Sequence, residues 1–154
     1  MTWRSRLLVI WGYASEILLA ALLTVVVRML VPGSTLKLLL VDNASAWTTV
    51  FTILFAARTA LWGVFINIAT KPFGPWLHKR GALKVFQHAL SSPLLIFAAG
   101  IVSCIAMKAI QNQYTLFTAV FFIFYGTINL ITMITNTIQI VDLYVLFEKD
   151  GSKK

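Results

Sequence analysis

Four runs of apolar residues, each about as long as a bilayer is thick, decide what this chain can fold into. An α-helix rises 1.5 Å per residue and the hydrocarbon core of a bilayer is about 30 Å across, so about 20 apolar residues cross it. The pattern predicts helices over 7–31, 46–70, 92–110 and 116–147. Pro32-Gly33 closes the first, and Lys71-Pro72 with Gly74-Pro75 closes the second. Pro93 fits the first turn of the third, where its missing N–H costs nothing. The fourth exceeds what a bilayer needs, so its end is expected to project into the cytoplasm, where Asp142, Glu148 and Lys149 gather. Only 12% of the 154 residues are charged and 59% are hydrophobic, against about 25% charged in soluble domains. The expected fold is all-α: one domain over 1–154, a polytopic membrane protein built as a bundle of four transmembrane helices.

The net charge of +8 is placed in the connections. Arg4, Arg6, Lys71, Lys79, Arg80, Lys84, Lys149, Lys153 and Lys154 fall on one side, with only Lys37 and Lys108 on the other. By the positive-inside rule, both termini and the middle loop face the cytoplasm of an inner membrane. Arg28, near the outer boundary, is expected to snorkel to headgroups. Trp3, Trp11, Trp47 and Trp76 fall at interfaces. The run behind Arg4 and Arg6 is too long for a signal peptide's core.

Two connections are unusual. Segment 32–45 contains Leu36-Lys37-Leu38-Leu39-Leu40-Val41, too apolar for a free loop and too short to span. It is expected to lie in the outer interface or to dip inward. The basic segment 71–91 reads either as a solvated loop or as an interfacial helix. In the second case Trp76, Leu77, Leu83, Phe86 and Leu90 face lipid, while His78, Lys79, Arg80, Lys84 and His88 face water. Lys79, Arg80, Lys84 and Asp142 are the candidates for contact with lipid or a cytosolic partner.

Glu16 and Arg58 fall inside the predicted spans. A charge at mid-bilayer costs about 2.5–3.5 kcal/mol even on lenient scales, so each needs a partner. Counted from the cytoplasmic ends of antiparallel helices, the two differ in height by about 5 Å. A buried charge pair is therefore expected, within a subunit or between subunits. It would act as a clamp on helix register, or as the lining of an ion path or a switch. On the fourth helix Thr118, Tyr125, Asn129, Thr132, Asn136 and Gln139 recur at three-, four- and seven-residue steps. That stripe reads as interhelical hydrogen bonding or as the pore-lining face of a homo-oligomer. Ala56 and Ala60, Thr59 and Gly63, and Gly100 and Cys104 have the small-residue spacing that admits close helix contact.

Enzyme chemistry finds no motif here: no metal-ligand cluster, nucleophile elbow, phosphate loop or carboxylate dyad. No metal or cofactor is expected, and no direct nucleic-acid binding. His78 and His88 read as surface histidines, and Cys104, alone, forms no internal disulfide.

Two short stretches carry a family likeness. Arg28-Met29-Leu30-Val31-Pro32-Gly33-Ser34 ends the first helix, and Gln139-Ile140-Val141-Asp142-Leu143-Tyr144 lies near the end of the last. With its length, four helices and basic inner loop, the chain resembles the small membrane component of the lambda Rex phage-exclusion system. It also resembles the four-helix membrane subunit of the Kiwa defence system. The resemblance implies an inner-membrane protein of anti-phage defence that oligomerises, conducts ions or senses phage, and works with a cytosolic sensor or nucleic-acid-binding effector. The competing expectation is a non-conducting scaffold of a secretion or transport complex.

Overall fold

The computed structural model describes residues 3–151, with side chains placed for residues 11 and 13–149. The side chains of Trp3, Arg4 and Arg6, and residues Lys153 and Lys154, lie outside that description. Six α-helices follow in order: α1 (Trp3–Leu30), α2 (Gly33–Val41), α3 (Ala44–Ala69), α4 (Phe73–Lys79), α5 (Leu83–Ile110) and α6 (Gln113–Gly151). Four of them, α1, α3, α5 and α6, contain stretches long and apolar enough to cross a membrane. Much of their surface is bare Leu, Ile and Val, including Leu18, Leu22, Ile53, Leu95, Val102 and Ile131. Water does not tolerate such a surface, and acyl chains do.

The long helices pack in the order α3, α5, α6, α1. Among them, α1 leans mainly on α6. Three apolar clusters hold the bundle. At one end α2 folds back, burying Leu36 and Leu40 against Ala44, Met107, Leu116 and Val120. Segment 32–45 is thus a short helix with an inward apolar face. In the middle, Phe51 and Phe97 pack with Cys104. At the other end α4 buries Phe73 and Leu77 among Phe65, Phe86 and Leu90.

Helix α4 depends on a close approach. A Cβ on Gly74 would lie 1.7 Å from the carbonyl oxygen of Ala69, so only glycine lets α4 turn back under α3. Phe73 and Trp76 then stack at 5.7 Å, and Phe147 of α6 meets both edge-on. With 39 residues, α6 is about 58 Å long, and its last turns are pinned to α4 by Tyr144 and Phe147.

Two sequence expectations change. The third long helix begins at Leu83, not near 92, so Pro93 lies inside it. Segment 71–91 divides into α4 and the first turns of α5. Leu77, Phe86 and Leu90 are buried against protein rather than facing lipid. The reason is that α4 and α5 share one apolar core with α6. His78, Lys79, Arg80, Lys84 and His88 are exposed, as the amphipathic pattern requires.

Candidate functional site

A proline inside a helix removes one backbone bond, the one its own N–H would give to the carbonyl four residues earlier. For Pro93 that carbonyl belongs to Ala89. In an apolar setting an unpaired carbonyl costs about 1–3 kcal/mol. Arg58, reaching across from α3, fills the gap. Its Nη2 donates to the Ala89 carbonyl, and its Nε donates to the Leu90 carbonyl at 3.0 Å. The guanidinium is planar and forked, so one side chain serves two adjacent acceptors. Arg58 is 0% exposed. The arginine and the interior proline explain each other: the proline frees an acceptor, and the acceptor houses the charge.

Glu16 has a different host. Thr132 on α6 donates its hydroxyl to Glu16 Oε1 at 2.6 Å. Glu16 Oε2 and Arg58 Nη1 are both buried and have no hydrogen-bond partner. The direct pair between Glu16 and Arg58 is therefore not made within the protomer. Each charge is held by polar groups of the helix that it packs against, because α1 sits on α6 while α3 sits on α5.

Tyrosines lie between the two charges. Ser92 donates to the Tyr13 hydroxyl at 3.3 Å, linking α5 to α1 beside the proline break. Tyr13 lies within electrostatic range of Arg58 and of Tyr125. Tyr125 is in range of Glu16, and its backbone carbonyl accepts from the Asn129 side-chain amide. Tyr13 and Glu16 are three residues apart, so they share one face of α1 about one turn apart in height. The result is a polar layer through all four long helices: Tyr13 and Glu16 on α1, Arg58 on α3, Ser92 and two backbone carbonyls on α5, and Tyr125, Asn129 and Thr132 on α6.

The stripe on α6 is not presented uniformly. Asn129 is 1% exposed and donates to the Tyr125 carbonyl at 2.9 Å. Thr132 faces Glu16, and Tyr125 and Asn136 are half-buried. Thr118, Gln139 and Asp142 are exposed at the two ends. The exposed Thr118 hydroxyl is satisfied by the carbonyl of Tyr114 at 2.9 Å. Thr49, Thr52, Thr59 and Thr127 likewise bond to carbonyls of their own helices, which lets a threonine face lipid. Thr132→Val is expected to cost about 1–2 kcal/mol, since it leaves Glu16 Oε1 without its donor. Thr135→Val, on an exposed residue bonded to its own helix, should cost under about 0.5 kcal/mol. Reversible unfolding in mixed micelles checks both.

Of the residues in the polar layer, Glu16, Arg58 and the α6 set are evident from the sequence, Tyr13 and Ser92 are not, and Pro93 reads there as a helix start and not as part of the site. The available signal was the proline itself, since a helix that runs through Pro93 leaves the Ala89 carbonyl in need of another donor. Among the described residues no group of three His, Cys, Asp or Glu side chains could hold a metal ion. No family model, no curated protein and no solved structure matches this chain.

Proposed function

We propose that this chain is a multi-pass protein of the inner membrane, both termini cytoplasmic, and the membrane component of an anti-phage defence system. In this reading it assembles with copies of itself and answers a cytosolic partner that senses infection or acts on nucleic acid. The observation that carries the proposal is the layer of opposite charges held apart. Glu16 keeps one acceptor in reserve and Arg58 one donor, on two helices, α1 and α3, whose main neighbours are α6 and α5. Buried, unpaired and of opposite sign, these groups favour a second arrangement in which they meet. A trigger that moves α1 toward α3 would exchange the Thr132 bond for that pair, and the bundle then has two states to be switched between. The Rex-like stretches support the choice of biological role, and the exposed small residues of α3, Ala56, Ala60 and Gly63, admit a neighbouring helix.

One observation favours the scaffold reading. Asn129, at the centre of the α6 stripe, turns into the protomer, while the far end of α6 is clasped by α4. Such a helix serves as a docking post without lining a path for ions.

The test is expression of the native locus in a phage-sensitive host, with plaquing and a membrane-potential dye as readouts. The defence reading expects fewer plaques and a loss of potential after infection, with both effects weakened by Glu16→Gln at unchanged protein level. Plaquing unaltered by the intact locus overturns it. Protection without depolarisation, indifferent to Glu16→Gln, keeps the defence role and overturns the switch, whereas a scaffold of a secretion or transport complex expects neither protection nor depolarisation.

A further inference from the structure

From Asn43 to Val141 the chain contains no acidic residue, yet it carries Arg58, Lys71, Lys79, Arg80, Lys84 and Lys108. Four of these, Lys71, Lys79, Arg80 and Lys84, are exposed on and around α4. The short helix is fixed from beneath, with Phe73 and Leu77 fully buried, so its outer face is a rigid shelf. The Arg80 guanidinium lies 4.1 Å over the Trp76 ring, which limits its rotamers. The α4–α5 connection is tight: Gly81 N–H donates to the His78 carbonyl at 2.9 Å and Ala82 N–H to the Leu77 carbonyl at 3.1 Å. Lys79, Arg80 and Lys84 are thereby gathered within one turn of chain on either side of that bend. The aromatic shelf and the cations sit together at one end of four long apolar helices. That is the level at which headgroup phosphates lie above acyl chains.

We propose that the α4 shelf binds an anionic phospholipid, with Lys79, Arg80 and Lys84 around the phosphate and Trp76 at the glycerol level. This rests on the membrane reading above. The two lysines bind a phosphate without fixed geometry, and the Arg80 guanidinium adds its charge beside them. The exposed carboxylates Asp142 and Glu148 belong to α6. An acidic polypeptide would satisfy the same charges, but it has no use for an aromatic shelf at the end of an apolar bundle.

The experiment reconstitutes the full chain in nanodiscs of phosphatidylcholine with a minor fraction of phosphatidylglycerol. Lipid retained after delipidation is then counted by native mass spectrometry. Each basic side chain near a charged leaflet contributes about 1 kcal/mol, so three together give about a hundredfold preference for the anionic lipid. Lys79→Gln/Arg80→Gln/Lys84→Gln should abolish most of it, and Lys108→Gln, at the opposite end of α5, should not. Equal retention of both lipids overturns the proposal, as does a preference that survives the triple substitution. Binding of an acidic peptide without lipid preference also overturns it, in favour of a protein partner. A chain that fails to enter nanodiscs at all refutes the membrane reading instead, so the two failures are distinguishable.

Discussion

Arg58→Met is expected to weaken association of the bundle by about 3 kcal/mol, and by about half as much when Pro93→Ala is already present. An arginine on an isolated helix in lipid costs about 2.5–3.5 kcal/mol. Docking on α5 relieves that cost by giving the guanidinium two carbonyl acceptors. Methionine removes both the cost and the relief, so the driving force for α3 to seek α5 is lost while the Ala89 carbonyl is stranded. Alanine at 93 restores the backbone N–H, the carbonyl then has its own donor, and the arginine has less to do there. A double-mutant cycle by steric trapping or mixed-micelle unfolding should return a coupling of about 1.5 kcal/mol, within the range for residues sharing one network. Strict additivity would mean that the arginine does not cap the break. Arg58→Lys should recover only part of the loss, because an ammonium lacks the fork.

Phe51→Ala is expected to cost about 3–5 kcal/mol, in line with emptying a large aromatic site. Its ring enters a slot made by glycines on two other helices. A Cβ on Gly100 would lie 2.5 Å from the ring and one on Gly126 2.8 Å from it. Three helices are locked at that point by one side chain, which also meets Phe97 at 6.4 Å between centroids. Gly100→Val should therefore destabilise by about 1–3 kcal/mol through overpacking. Combined with Phe51→Ala it should recover part of the loss, since the added methyls enter the space that the ring vacates. Gly63→Val is the contrast. Nothing lies within 4 Å of that position, so the fold should tolerate the change, with a loss under about 0.5 kcal/mol in mixed-micelle unfolding. If Gly100→Val is as harmless as Gly63→Val, the slot is not what joins these helices.

The four long helices were legible because crossing a bilayer demands length and apolarity, and both can be counted. Pro32-Gly33 marked the end of α1 to within two residues of Leu30. The start of α5 was misplaced because proline is a good marker of a helix start only when no distant side chain takes over its lost bond. Nothing local to 83–93 announces that Arg58 will do so. Gly100 was visible through its spacing to Cys104, whereas Gly126 was not, since its role depends on where Phe51 of another helix arrives. The charge layer was half legible. Depth along each helix predicted that Glu16 and Arg58 would lie at similar heights. Which neighbour each would face depends on the packing order α3, α5, α6, α1, and no periodicity encodes that order.

That order bears on how the chain is made. Of the four long helices, the one made before the others finds its main neighbour in the one made after them. Until α6 is synthesised, the carboxyl of Glu16 lacks the hydroxyl of Thr132 that it accepts from in the finished fold. A product truncated before α6 would therefore carry an acid with no donor inside its own fold, and its α1 would have lost the neighbour it leans on.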